Sequence, residues 1–357
     1  MISEAKSLAL SLEMSKLMAT KEKPPGNHLE SILQAAPNPT IETYIYHVNG
    51  CSYFVKRYQA NFQQAFEEIN NFQHLGIADF VPNLSYVSYM PDRDSAIFAY
   101  ELIDGIDMHK QFDENLKSEQ KISLSSQAIH QFYEMGHLYD SQKHTINPWP
   151  LRSPIRTGFL SEEEERSFLE NYEIVFNINR QALQEFPGFY FDRNPRNVIN
   201  SNGKIYQVDF NAVEYSSPLF DIAKFLRNGK DTGGIPADIS LKTKEDYQDA
   251  AKTLSAFTPD EEKNLLATAY SLQDPGEFDT KRFDKFLQYF KFAAVHTHIF
   301  YLTKYLNMLR RNIGDLSALL SRSIYHYGML LILSGELEKL GFELNPLTQH
   351  VDSFIQK

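Results

Sequence analysis

The stretch YFDRNPRNVINSNGKIYQVDFN, residues 190–211, sets Asp192, Asn197 and Asp209 among strand formers and one turn, Asn202-Gly203. Val198-Ile199 and Ile205 to Val208 read as two short strands, because an Asn-Gly pair supplies the left-handed residues that a tight hairpin needs. Reversal over residues 200–204 makes Asn197 and Asp209 neighbours across the strands, with Asp192 on the loop just before them. A loop followed by a hairpin therefore delivers three oxygen-bearing side chains to one end. A hard cation such as Mg²⁺ takes few protein oxygens and leaves its other positions to phosphate and water, so an Asp and an Asn suit it. Asp192 is then left to accept a proton.

On the amino-terminal side, TIETYIYHVNGCSYFVKRY (residues 40–58) predicts a second hairpin, two β-branched and aromatic runs divided by Asn49-Gly50. Phe62, Ala65, Phe66, Ile69, Phe72 and Leu75 follow at helical spacing, and Gly76 ends the helix they predict. LSYVSYM and SAIFAYELI read as strands with Pro91-Asp92 in the turn between them, so residues 40–103 are β-β-α-β-β. Helical patterns dominate from Ser118 onward, through residues 119–138 and 161–186, with Ser161 placed to cap the acidic run Glu162 to Glu165. Asp279 caps a further long helix, and SIYHYGMLLILSGELEKLG forms the last. The organisation expected is a terminal extension over residues 1–30, helical or mobile, a β-rich N-lobe over 31–103, and a helical C-lobe over 104–357.

With 357 residues, 42% of them hydrophobic, the chain is long enough for two lobes and apolar enough to fill both. A net charge of −11 opposes nonspecific nucleic-acid binding, which needs a basic face, and suits a neutral or cationic partner. A single cysteine, Cys51, excludes an intrachain disulfide and a cysteine-based zinc site. No continuous apolar signal core opens the sequence and no later run is read as a membrane span, so the expectation is a cytoplasmic protein.

These residues and their order resemble the protein-kinase-like superfamily, and within it the aminoglycoside phosphotransferase and choline kinase branch. The resemblance implies a two-lobed α+β fold and an ATP- and Mg²⁺-dependent transfer of the γ-phosphate to a hydroxyl of a small molecule. Asp192 resembles the catalytic-loop Asp that orients the acceptor hydroxyl, and Asn197 and Asp209 resemble the metal-binding pair. Asp221, in SPLFDIA, resembles the residue that braces the catalytic loop, while Asn194 and Arg196 are candidates for phosphate or acceptor contact and equally for loop surface. Lys56, in FVK, resembles the lysine that touches the α- and β-phosphates. Glu68 resembles its ion-pair partner, with Glu67 as the alternative, and Glu101, Leu102 and Ile103 resemble the hinge whose backbone meets adenine. The separation of 91 positions from Glu101 to Asp192 makes a long helical insertion that resembles the small-molecule kinases better than compact protein kinases.

The sequence departs from that pattern in places. AAPNPT, residues 35–40, stands where a glycine-rich loop would precede the lysine. Phe54 shares the strand parity of Lys56 and should face the nucleotide side, Tyr190-Phe191 replaces the usual His-Gly, and Asn211 replaces a frequent glycine. A catalytically silent nucleotide-binding or scaffold protein is therefore an alternative, as is a protein kinase or adenylyltransferase on the same fold. The net charge suits a cationic acceptor such as an amino sugar or amino alcohol. GKDTGG at 229–234 lacks phosphate-loop spacing and reads as a flexible loop, and His296 and His298 point to different helix faces and make poor metal ligands.

Overall fold

The computed structural model describes residues 41–48, 50–59, 62–75, 78–90, 95–113, 116–139, 161–210, 213–230, 241–344, 347–349 and 351–352, together with Ser11 and Met14. Two compact units divide the chain, Met1–Ile106 with Asn197–Ala212, and Asp107–Arg196 with Val213–Lys357.

In the first unit β1 (Ile41–Val48), β2 (Cys51–Gln59), β3 (Leu84–Met90) and β4 (Ser95–Glu101) form an antiparallel sheet in the order β1-β2-β4-β3, with α1 (Phe62–Leu75) between β2 and β3 in sequence. Strand alternation splits its side chains into two cores. Tyr53 and Val55 join Tyr44, Ile97 and Ala99 on one side, where Met14 is also fully buried. Tyr58 joins Ala65, Ala96, Phe98 and Tyr100 on the other, with half-buried Phe54, Ile69 and Phe72 against them. Lys56 has the parity of that second set and pairs in register with Thr43 and Phe98. The chain leaves this unit at the two-residue strand β5 (Ile106–Asp107).

Two expectations need correction here. Phe66 is 54% exposed, because the buried stripe of α1 runs through Ala65, Glu68, Asn71 and Leu75. A carboxylate takes a core position that periodicity would assign to an apolar residue. The boundary is also more complex than a single cut at 103/104. Asn197–Ala212 groups with the amino-terminal residues, since Gln207 N donates to Phe80 O at 2.8 Å and Asn71 Nδ2 donates to Phe210 O at 2.8 Å. Within that segment β7 (Val198–Ser201) and β8 (Lys204–Gln207) form the expected hairpin, closed by Asn202 at φ +53° and Gly203 at φ +88°.

The second unit is mainly helical: α2 (Met108–Asp113), α3 (Ser118–His137), α4 (Glu162–Glu185), α5 (Leu219–Leu226), α6 (Lys244–Leu254), α7 (Pro259–Gln273), α8 (Thr280–Arg310) and α9 (Leu316–Glu338). Between them β6 (Gly188–Tyr190) pairs antiparallel with β9 (Glu214–Ser216). The caps are those the residue types dictate. Ser161 with Glu164 forms a capping box on α4, and Asp279 accepts from Lys281 N and Arg282 N at the start of α8. Thr243 and Thr258 cap α6 and α7 in the same way. The crossing of α6 and α9 depends on Gly328, where an added Cβ would lie 2.1 Å from Tyr247 O and 2.6 Å from Ala251 Cβ. Among the described residues one helix, α9, is long and apolar enough to cross a membrane, yet 72% of its apolar window is buried within the protein. AAPNPT, Asn211 and the greater part of GKDTGG lie outside the described residues.

Candidate active site

Lys56 leaves β2 beside Phe98 and is 7% exposed. Its ammonium lies 3.0 and 3.1 Å from the two carboxylate oxygens of Glu68 and 2.7 Å from Oδ1 of Asp209. Glu68 is 1% exposed and tolerates burial because it also accepts from the hydroxyls of Tyr58 and, at 2.6 Å, Tyr100. Burial penalises the Lys56 charge, but Asp209 and Glu68 outweigh it and hold the ammonium well above its ordinary value. The group is a fixed cation. Glu67, the alternative partner, is exposed and accepts from Gln63.

Asp209 is presented by the end of β8. Its backbone adopts φ +66°, uncommon for a residue with a side chain, and the neighbours on either side are tied down. Val208 N donates to Asn197 O at 2.9 Å, and Phe210 O accepts from Asn71 while its ring meets Phe72 edge-on at 6.3 Å. The bond from Val208 to Asn197 sets Asn197 opposite the residue before Asp209, as the hairpin reading expects. Asn197 and Asp209 together are a pair of hard oxygen donors on one rigid hairpin, and the Asp209 side chain is 34% exposed. That donor set fits Mg²⁺.

Of the expected hinge, Glu101 N donates to Asn83 O at 2.8 Å and Leu102 N to Ser52 O at 3.1 Å. Those two amides are committed within the unit.

In the second unit Asp192 follows β6 with φ +57°, again left-handed. The strain is held by Asp221 at the start of α5, whose two carboxylate oxygens accept from Phe191 N and Arg193 N, each at 2.6 Å. The Arg193 guanidinium closes the loop by donating to Phe191 O at 3.0 and 2.6 Å. Burial pushes the Asp221 carboxyl up to about 6, against the pull of Arg193 and the two amides. Because its folded pKa exceeds the ordinary 3.8, this group's contribution to stability is full below that value and is lost as pH rises through about 6. Asp221→Asn cannot ionise. Its stability deficit relative to wild type should therefore shrink by about 2 kcal/mol between pH 4 and pH 8, read from urea melts at each pH. A deficit that stays constant would refute the raised pKa.

Asp192 itself has a partner no motif announced. Lys224, one turn beyond Asp221 on α5, contacts both the Asp192 carboxylate and the Tyr190 hydroxyl, and Tyr190 donates to the same Asp192 oxygen at 3.1 Å. Burial would push the Asp192 carboxyl up, but Lys224 overrides it and holds the group below its ordinary value. It is ionised at neutral pH, with the side chain 42% exposed. Three rings surround the Lys224 ammonium, Tyr190 at 5.0 Å, Phe300 at 5.5 Å and Tyr301 at 5.9 Å. A signal for it does exist in the sequence. LFDIAKFL is buried at every position, and a lysine inside such a helix requires an anion.

Asn194 is engaged internally, accepting from Arg196 N at 3.0 Å and Asn228 Nδ2 at 3.1 Å and donating to the Tyr301 hydroxyl at 3.3 Å. It ties the loop to α8. His296 pairs with the Tyr172 hydroxyl, and His298 meets His326 at 2.8 Å between Nδ1 atoms. Both sites are buried, and among the described residues no cluster of three or more His, Cys, Asp or Glu is arranged to hold a metal ion.

No protein-family model matches the sequence, and no curated protein is significantly similar to it. Solved structures are similar in fold. The choline kinase from Cryptosporidium parvum Iowa II superposes with a TM-score of 0.53 at 12% identity, over 88% of this chain and 94% of that one. The fold is the two-lobed α+β protein-kinase-like one. A second structure, the gentamicin complex of APH(2")-IIa, has a TM-score of 0.50 at 14% identity, over 85% of this chain and 90% of that one. At such identities the likeness is one of architecture. Asp192 on its clamped loop belongs to the second unit, and Lys56, Glu68, Asn197 and Asp209 belong to the first.

Proposed function

We propose that this chain is an ATP- and Mg²⁺-dependent phosphotransferase that acts on a hydroxyl group of a small molecule. The observation that carries the reading is the cluster of Lys56, Glu68 and Asp209, a buried permanent cation on β2 held between a buried carboxylate and a partly exposed one. Such a cation is expensive to bury, and its Asp209 partner stays partly exposed, as a site for an incoming polyphosphate and metal would require.

In this reading Lys56 receives the α- and β-phosphates and Asn197 and Asp209 hold Mg²⁺, which supplies charge neutralisation for the phosphates. Asp192 orients the acceptor O–H. The acceptor oxygen forms its bond to the γ-phosphorus as the bond to the β,γ-bridging oxygen breaks, ADP departs with that electron pair, and the hydroxyl proton passes to the Asp192 carboxylate. Because Lys224 holds Asp192 low, the carboxylate is a weak base. It takes the proton late, once bonding to phosphorus has acidified the hydroxyl. Lys224 and Tyr190 fix one oxygen of Asp192, so the carboxylate has a set orientation before any acceptor arrives.

Calorimetric titration of ATP with and without Mg²⁺ tests this. Binding to wild type should depend on the metal, and Asp209→Ala should weaken it by about tenfold or more. Absence of binding at millimolar nucleotide would leave a scaffold role as the better reading.

A further inference from the structure

We infer that Lys56 guards the metal site: its ammonium and a divalent cation compete for the Asp209 carboxylate, so free metal is turned away and the site takes a metal ion only together with a polyphosphate. The inference rests on the phosphotransferase reading above and adds the regulation of the same site.

The contact that carries it is the Lys56 ammonium at 2.7 Å from Oδ1 of Asp209, the hydrogen-bond distance of a charged pair. Asp209 is the carboxylate that the metal needs, and a magnesium ion would bind its oxygen at about 2.1 Å. An ammonium and a divalent cation on one carboxylate stand roughly 4 Å apart, and water screens them poorly because Lys56 is 7% exposed.

Lys56 cannot step aside. Both carboxylate oxygens of Glu68 accept from it at 3.0 and 3.1 Å, and the hydroxyls of Tyr58 and Tyr100 hold Glu68 in turn. One turn beyond Glu68 on α1, Asn71 donates to Phe210 O at 2.8 Å, so the helix that anchors the lysine also anchors the residue next to Asp209. Burial opposes the Lys56 charge, but Asp209, ahead of Glu68, restores it, and the guard is cationic at neutral pH.

A polyphosphate changes the balance. An ammonium has three N–H donors, and the contacts to Glu68 and Asp209 engage all three. A phosphate oxygen that reaches Lys56 must therefore replace one acceptor. Glu68 is buried at 1%, whereas the Asp209 side chain is 34% exposed, so Asp209 is the one released and becomes available to the metal. A free metal ion brings no acceptor for Lys56 and cannot make that exchange.

The test is calorimetric titration of Mn²⁺, as a probe for Mg²⁺, into the full chain without nucleotide, with Asp209→Asn titrated in parallel to isolate the Asp209 site. Wild type should bind no more Mn²⁺ than Asp209→Asn. Lys56→Met, with folding confirmed by its melting temperature, should gain one site at least about tenfold tighter than any in wild type. The double variant Lys56→Met/Asp209→Asn should lose that site again. Lys56→Met/Glu68→Gln removes the carboxylate charge left without its lysine and replaces Lys56→Met if that variant does not fold. A wild-type Mn²⁺ site that Asp209→Asn abolishes would overturn the inference, as would Lys56 variants that gain none. Uptake of the Mn²⁺ complex of AMP-PNP by wild type, measured alongside, keeps the phosphotransferase reading standing in either case. A gain in the Lys56 variants without that uptake would uphold the competition for Asp209 and remove the phosphotransferase reading.

Discussion

Asp192→Ala is expected to slow phosphoryl transfer by about 10³-fold while leaving Mg-ATP affinity within about threefold of wild type, since in the proposed mechanism the residue acts on the acceptor and not on the donor. The size follows from what surrounds the side chain. Its backbone is held left-handed by the Asp221 clamp, and one carboxylate oxygen is fixed by Lys224 and Tyr190. An aspartate kept ionised and oriented in that way supplies positioning and a terminal proton acceptor together. Alanine removes both. Asp192→Asn keeps an oxygen to orient the hydroxyl, sets an amide against Lys224, and should fall between the two. The readout is ADP release with water or a hydroxyl compound as acceptor, alongside a denaturation curve to exclude unfolding. Transfer at the wild-type rate in Asp192→Ala would remove Asp192 from the mechanism.

The second large effect is on stability. Glu68→Ala should destabilise the first unit by about 4 kcal/mol, because a buried carboxylate is removed while three donors stay behind. Tyr58 and Tyr100 lose the acceptor of their hydroxyls in a core where they are 0% and 6% exposed. Lys56 keeps Asp209 alone, so the aspartate becomes the full counter-ion of the lysine and is less available to a metal. Glu68→Gln retains an uncharged acceptor and should lose about half as much. Hydrogen exchange at β2 and α1 reads the effect locally, which matters in a chain of two units whose melting need not be two-state. Unchanged protection in Glu68→Ala would show that the pair contributes nothing net.

Much of this architecture was legible because the signals are local. Asn49-Gly50 and Asn202-Gly203 mark the hairpins β1-β2 and β7-β8, and Ser161 and Asp279 start α4 and α8. The order of Lys56, Glu68, Asp192, Asn197, Asp209 and Asp221 was enough for the resemblance to the kinase-like fold, which the structural likeness bears out. Where the reading failed, a distant partner was the cause. Phe66 was placed on the buried face of α1 by apolar periodicity, yet Glu68 turns that face towards Lys56, Tyr58 and Tyr100.

By itself, then, the sequence determined the elements, their caps and turns, and the roster of chemically useful residues. Those depend on contacts three or four residues apart in a helix, or across a two-residue turn, and such contacts leave a periodic imprint. Only the tertiary structure decided which of Glu67 and Glu68 meets Lys56, that Asp209 joins them from 153 residues away, and that Lys224 reaches Asp192 from 32. Coulomb interactions fall off with distance in space, and no pattern along the chain records which charges the fold will bring together.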